Sequence, residues 1–155
     1  MENWNNNNYE KCLRELHGLI PAEDKRRIMS QNMCEYEHDF MGFLNVYKPL
    51  SELIPKDKIV IDFGCYLAAQ SYFFKEHKKY IGIDVCELER FNPGNAEHYV
   101  CTIQDFIKNG AFGLLSEEDN LSFFAICSYV PDFAASELVR RTFRNVCCYY
   151  PGGSE

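Results

Sequence analysis

The sequence predicts an α/β protein in which helices flank a doubly wound, mostly parallel β-sheet. From residue 58 onwards, short apolar runs alternate with helical segments, and this alternation implies parallel strands joined by right-handed crossovers. The chain has 155 residues, of which 46% are hydrophobic and 15% aromatic, a composition typical of a folded protein rather than a disordered one. We therefore expect a single domain with a substantial core.

About five strands are predicted from the apolar runs. The first, at residues 58–63, is rich in β-branched residues and ends at Gly64, which is typical of a strand buried on both faces. The other strands are predicted at residues 80–85, 98–101, 121–127 and 145–150. Helices are predicted between them at residues 67–77, 103–108 and 132–143.

The first third of the chain is predicted to be helical. A short helix is expected at residues 9–19, a longer one at 23–47, and at most one helical turn at 51–54. Along the longer helix, apolar residues recur at steps of three and four and so share one face: Tyr36, Phe40, Phe43, Leu44 and Tyr47. That face either packs on the sheet or closes over a ligand. The single domain of residues 1–155 is thus expected to comprise a flexible tail at 1–8, N-terminal helices at 9–55 and the α/β core at 56–150.

Charge and cysteine content restrict the classes of function. The net charge of -7 argues against non-specific nucleic-acid binding, which depends on clustered Lys and Arg. The eight cysteines form no C-x-x-C pair and most lie in or beside apolar runs, so we expect reduced thiols and no bound metal. No apolar run reaches membrane-spanning length and the first residues carry no signal-peptide pattern, so the expected location is the cytoplasm, away from membranes.

Three acidic residues follow predicted strands at the edge of the sheet where doubly wound folds bind ligands. Asp62 lies at the end of the first strand, Asp84 at the end of the second, and Asp105 just after the third. Asp84 follows Gly64 by 20 residues, the spacing at which a carboxylate accepts both hydroxyl protons of a ribose. Each acid also has a structural interpretation, as a charge near a helix N-terminus or as a turn residue.

Residues 58–85 resemble the opening of class I S-adenosylmethionine-dependent methyltransferases. Residues 60–65 place Asp62 two positions before Gly64, as in that family's nucleotide motif, and residues 80–84 match its second strand. Residues 104–106 look like its acidic adenine position, and 124–128 look like its fourth strand. The resemblance extends with gaps to residue 150 and implies a Rossmann-like sheet of order 3-2-1-4-5 that binds S-adenosylmethionine. It also implies that Asp84 holds the ribose and Asp105 the adenine amino group, while Asp62 and Gly64 border the methionine end.

Two positions depart from that family. The family's pattern has glycine or another small residue at the positions of Tyr66 and Ala68. Glycine is favoured there because the backbone turns tightly and approaches the ligand, and a Cβ would be in the way. The Tyr66 ring either blocks the cofactor or turns outward and hydrogen-bonds the ligand. A dinucleotide needs the same close approach, and the chain contains no G-x-x-x-x-G-K-[ST] phosphate motif.

The sequence gives less information about the part of the predicted site that would bind the substrate. Ser128 and Tyr129 follow the fourth strand, where they would meet a methyl acceptor. Residues 128–132 do not match the Asn/Asp-Pro-Pro-aromatic motif of enzymes that methylate nucleic-acid bases. The sequence ends soon after the fifth strand, whereas full family members add a helix and two antiparallel strands. We therefore expect an exposed sheet edge that a protein partner, a second copy in a dimer or the N-terminal helices cover.

Three functions are compatible with these residues. The first is a small methyltransferase with weak or lost activity towards an unknown acceptor. Methyl transfer depends mainly on the proximity and orientation of the reactants, so no catalytic residue can be identified from the sequence. The second is a non-catalytic protein-interaction module on the same fold, indicated by Tyr66 and the missing C-terminal strands. The third is a binding module for another nucleotide, which would keep the carboxylates and change the ligand.

Overall fold

A computed structural model describes residues 6–32, 46–109, 123–128 and 133–149. The helices of the N-terminal part are α1 (Asn6–Leu19), α2 (Ala22–Asn32) and α3 (Lys48–Leu53). The elements that follow are β1 (Ile59–Phe63), a 3-10 helix (Ala69–Phe74), β2 (Lys79–Asp84), β3 (Ala96–Val100), α4 (Ile103–Lys108), β4 (Phe123–Ser128), α5 (Phe133–Thr142) and β5 (Val146–Tyr149).

The sheet has five strands, all parallel, in the order β3-β2-β1-β4-β5. This confirms the predicted fold class, a Rossmann-like α/β sheet. The central strand β1 pairs on both sides, with Ile61 opposite Ile81 of β2 and Ala125 of β4. The strand order reverses between β1 and β4, so the crevice in which such folds bind ligands lies beyond the carboxyl ends of these strands.

The two faces of the sheet contact separate hydrophobic clusters, because side chains alternate along a strand. On one face, Val60 belongs to a cluster with Leu16 of α1. On the other face, the Phe63 ring centroid lies 5.9 Å from that of Phe106 in α4 and 5.8 Å from that of Phe143, just after α5. The N-terminal helices therefore cover one face and the later helices the other.

The helices differ more from the prediction than the strands do. Residues 67–77 form the 3-10 helix Ala69–Phe74 in place of the predicted α-helix. Ala68 has a φ of 59°, which lies outside the right-handed helical region, so a helix cannot begin before Ala69. At the N-terminus, α1 begins at Asn6, within the segment predicted to be a flexible tail.

The long predicted helix at residues 23–47 is described only at its two ends. Its first part corresponds to α2, and its last residue, Tyr47, is 2% exposed and directly precedes α3. The remaining residues of its apolar stripe, Tyr36, Phe40, Phe43 and Leu44, lie outside the described residues.

An irregular segment, residues 85–95, joins β2 to β3 without a helix. The Phe91 N–H donates to the Leu67 carbonyl oxygen at 2.9 Å, which fixes this segment against the loop after β1. Nearer β3, Asn95 Nδ2 donates to the carbonyl oxygens of Phe74 and His77, both at 2.9 Å. These contacts take the place of the internal hydrogen bonds that a helix would provide.

Gly82 of β2 allows two side chains to approach the strand closely. A Cβ built on Gly82 would lie 2.6 Å from His98 Nδ1 and 2.8 Å from Cys65 Sγ, and the Cys65 side chain is buried. We expect Gly82→Ala to lower the free energy of unfolding by about 1–3 kcal/mol, because packed neighbours must shift. Urea denaturation measures this difference.

The matched control for that substitution is Gly18→Ala. Gly18 lies within α1, and a Cβ added there has nothing within 4 Å. Alanine is more favourable than glycine inside a helix by about 0.5–1 kcal/mol, so this substitution should stabilise the fold. A stabilising effect at both positions would contradict the close approach at Gly82.

The described residues contain no helix that is both long and apolar enough to cross a membrane. Five cysteines have described side chains, and none of these five forms a disulfide bond: Cys65, Cys86, Cys101, Cys127 and Cys147. In the same part of the chain, no three His, Cys, Asp or Glu side chains come together as ligands for a metal ion.

Candidate functional site

Asp84 connects the carboxyl ends of β1 and β2. Its Oδ2 accepts the N–H of Tyr66 at 2.9 Å, and its Oδ1 accepts the N–H of Cys86, also at 2.9 Å. The structure thus brings Asp84 next to the loop that follows Gly64, as their spacing indicates. The side chain is only half-buried, and each carboxylate oxygen retains acceptor capacity for a further donor.

The loop of residues 64–68 has the backbone that a glycine-rich motif requires. The φ angles of Gly64, Tyr66 and Ala68 are all positive, at 79°, 50° and 59°. A residue with a Cβ costs roughly 1–2 kcal/mol in this left-handed region, so two such residues make the loop strained. The half-buried Tyr66 ring packs against the cluster on the side of the N-terminal helices.

The polar backbone of the same loop is already paired within the chain. The N–H groups of Gly64 and Cys65 donate to the Ile83 carbonyl oxygen at 2.8 and 3.2 Å. The Ala68 N–H donates to the Cys65 carbonyl oxygen at 2.8 Å, and the Tyr66 N–H is held by the carboxylate described above. All four N–H groups therefore already have an acceptor within the chain, and none of them is left to bind a ligand carboxylate.

Arg90 joins the loop after β1 to the loop after β2. Its side chain is 8% exposed, and its Nε donates to the Tyr66 carbonyl oxygen at 2.8 Å. A terminal guanidinium nitrogen donates to the Cys86 carbonyl oxygen, and the other to that of Leu88 at 3.4 Å. Sequence analysis missed Arg90, because it belongs to no motif and its partners are backbone atoms.

Asp62 lies below this loop and is fully buried, at 0% exposure. Its Oδ1 accepts the Tyr47 hydroxyl at 3.1 Å, and its Oδ2 accepts Gln70 Nε2 at 2.9 Å and the Tyr80 hydroxyl. Burial raises the pKa of Asp62 to about 6; the three hydrogen bonds oppose this increase and the nearby charge of Asp84 adds to it. In this conformation the Asp62 side chain is inside the core and out of reach of a ligand.

Two exposed valines adjoin Asp84, Val85 as the next residue in the chain and Val100 as its partner across β2 and β3, and we call these two residues the apolar shelf. These side chains are 64% and 52% exposed, which is unusual for valine, and Val100 is paired with Asp84 across β2 and β3. Asp105 is exposed in the first turn of α4, where its N–H donates to Thr102 Oγ1 at 3.0 Å. Asp84 and Asp105 thus both follow strands at the carboxyl edge of the sheet, and two exposed valines adjoin Asp84.

The predicted substrate residues are only partly described. Ser128 is the last residue of β4, one residue beyond the predicted end of that strand, and its side chain lies outside the described part of the chain. Tyr129 lies outside the described residues altogether.

Comparisons with known proteins return no relative. No protein family, no curated protein and no solved structure matches this chain. Any function must therefore be argued from the geometry of the site itself.

Proposed function

We propose that this chain is a methyltransferase-like protein whose carboxyl edge binds the adenosine portion of S-adenosylmethionine or a related nucleoside, and whose methyl-transfer activity is weak or lost. The observation that carries the proposal is the half-exposed Asp84 carboxylate beside the apolar shelf of Val85 and Val100. Ribose hydroxyls donate to a carboxylate, and a purine base packs against apolar side chains.

The residues at this edge fit the nucleoside half of such a ligand. Asp84 would accept the ribose hydroxyls, and the shelf would contact the base. The exposed carboxylate of Asp105 would accept the exocyclic amino group of adenine. The strained loop that includes Tyr66 supports the proposal as well, because strained backbone occurs preferentially at ligand sites.

The methionine half of the ligand fits less well. Four N–H groups of the loop at residues 64–68 are already paired, and Tyr66 brings a Cβ and a ring to a position where the resembling family has a small residue. When bound, S-adenosylmethionine supplies an electrophilic methyl group, but transfer requires that group to be held in line with its acceptor. Weak binding of the methionine end would leave the methyl group poorly oriented.

Isothermal titration with adenosine and with S-adenosylhomocysteine tests this proposal. We expect their dissociation constants to agree within about threefold, because the amino-acid half adds few contacts. Asp84→Asn should weaken both ligands about tenfold, since a hydrogen bond to a charged acceptor is replaced by a weaker one. Asp57→Asn is the control, because Asp57 is an exposed carboxylate before β1, at the other end of the strands. This substitution should change neither dissociation constant.

Two results would overturn the proposal. If S-adenosylhomocysteine binds more than about tenfold tighter than adenosine, the methionine half is functional and an active methyltransferase is favoured. If neither ligand binds to the folded protein, the nucleoside site is absent.

A second candidate is a non-catalytic protein-interaction module. The position of β5 at the edge of the described sheet favours it, because an edge strand offers unpaired backbone groups to a protein partner or a second copy. Sedimentation of the purified chain distinguishes a monomer from a dimer. For either candidate we propose a cytoplasmic location, which is supported by the five described cysteines that form no disulfide bond.

A further inference from the structure

A groove lies at the amino ends of β4 and β5, at the opposite end of the strands from the candidate nucleoside site. Its volume is about 310 Å³. Phe124 and Ile126 of β4 form its floor, and Leu50 of α3 and Ile54 form one wall. Arg144 and Asn145, just before β5, line the other side together with Val146 and Cys147 of β5, and Ala125 of β4 also contributes. We call this feature the amino-end groove.

The walls of the amino-end groove are held by contacts within the chain. The Ile54 N–H donates to the Leu50 carbonyl oxygen at 2.8 Å, and the Ile54 carbonyl oxygen lies 3.0 Å from Nε2 of the buried His77. On the other side, Asn145 Nδ2 donates to the Phe123 carbonyl oxygen at 3.3 Å. A groove with fixed walls is preformed for a ligand, which lowers the entropic cost of binding.

The chemistry of the lining selects the charge of the ligand. Arg144 is exposed and permanently charged, and none of the residues that line the groove is acidic. Arg144 already takes part in an interaction within the chain. A guanidinium has five N–H donors, and a bidentate carboxylate uses two of them. A cation at the side of an apolar floor complements an anionic group attached to an apolar body.

We propose that the amino-end groove binds a small carboxylic acid, with its carboxylate on Arg144 and its apolar body against Phe124 and Ile126. The volume sets the size of this ligand. At roughly 30 Å³ for each water, the groove has room for about ten waters, or for a ligand of similar heavy-atom count. A monocarboxylate with one aromatic ring or a short branched chain has this size.

A titration monitored by ¹H–¹⁵N NMR tests the proposal with 3-phenylpropanoate and its uncharged analogue 3-phenylpropanamide. We expect a dissociation constant of about 0.1–1 mM for the acid, the range for a ligand of this size. The amide should bind roughly tenfold more weakly, because it lacks the charge-assisted pair. The largest shift changes should occur at residues 124–126 and 145–147, and not at 84–86 or 100–105, which keeps this result separate from nucleoside binding.

Three variants complete the experiment. Arg144→Gln should reduce binding of the acid to that of the amide, and Leu50→Trp should abolish binding of both by filling the groove. Arg141→Gln is the matched control, because Arg141 is an exposed arginine in the last turn of α5 that does not line the groove. This substitution should change the affinity for neither the acid nor the amide. The proposal is overturned if acid and amide bind wild type equally, if acid binding survives Arg144→Gln, or if neither ligand binds at about 10 mM.

Discussion

Asp62→Ala is expected to lower the free energy of unfolding by about 2–5 kcal/mol at about pH 5, the largest effect among the substitutions considered. The hydroxyls of Tyr47 and Tyr80 each lose the hydrogen bond that they donate to Asp62, in a part of the core where these residues are 2% and 0% exposed. Gln70 keeps a second acceptor, the Cys65 carbonyl oxygen at 3.0 Å. Each buried donor left without an acceptor costs about 1–3 kcal/mol. Chemical denaturation measures the total decrease in the free energy of unfolding.

Two further variants show whether the effect comes from this network. Tyr80→Phe removes one donor and keeps the carboxyl, so its cost should be smaller, about 1–2 kcal/mol. Asp57→Ala removes an exposed carboxylate and should change stability by less than about 0.5 kcal/mol. If Asp62→Ala were as mild as Asp57→Ala, the hydrogen bonds of Asp62 would contribute nothing to stability.

The same carboxyl is expected to make the folded chain less stable as the pH rises from about 4 to about 7. Burial raises the folded-state pKa of Asp62 from the usual 3.8 to about 6. Between these values the folded state binds the proton and the unfolded state has released it. The stabilising contribution is therefore complete below the unfolded pKa and is lost as the pH passes through the folded pKa. A shift of about two pKa units corresponds to about 3 kcal/mol.

Asp62→Asn separates this contribution from that of the other carboxylates, because asparagine cannot ionise. We expect the stability of wild type relative to Asp62→Asn to fall by about 3 kcal/mol between about pH 4 and about pH 7, measured by urea denaturation at several pH values. A constant difference between the two proteins would mean that the pKa of Asp62 is not raised. A difference that grows in favour of wild type with pH would mean that it is lowered.

The strands could be predicted because a buried parallel strand carries its signal in its own residues. β1, β2 and β5 begin and end within one residue of the predicted positions. The predicted helix at residues 67–77 failed for a non-local reason. The left-handed turn before it is held by the Phe91 N–H, which donates to the Leu67 carbonyl oxygen from the segment after β2. No pattern within the predicted helix encodes that contact.

The candidate site was predictable only in part. The spacing between Gly64 and Asp84 correctly indicates that the loop and the carboxylate are neighbours, because it reflects one strand-loop-strand unit. The burial of Asp62 was not predictable, since it depends on Tyr47 and Tyr80, which are 15 and 18 residues away. Hydrogen-bond partners at such separations are set by the tertiary structure, and a single sequence does not record them.

The different sequence separations of the two strands that flank β1 have a consequence for the order in which the chain assembles. Ile59 pairs with Lys79, 20 residues later, whereas the pairing of Ile59 with Phe123 spans 64 residues. Closing the longer loop costs about 1 kcal/mol more in chain entropy. We therefore expect β1, β2 and β3 to pair before β4 and β5 add to the free side of β1.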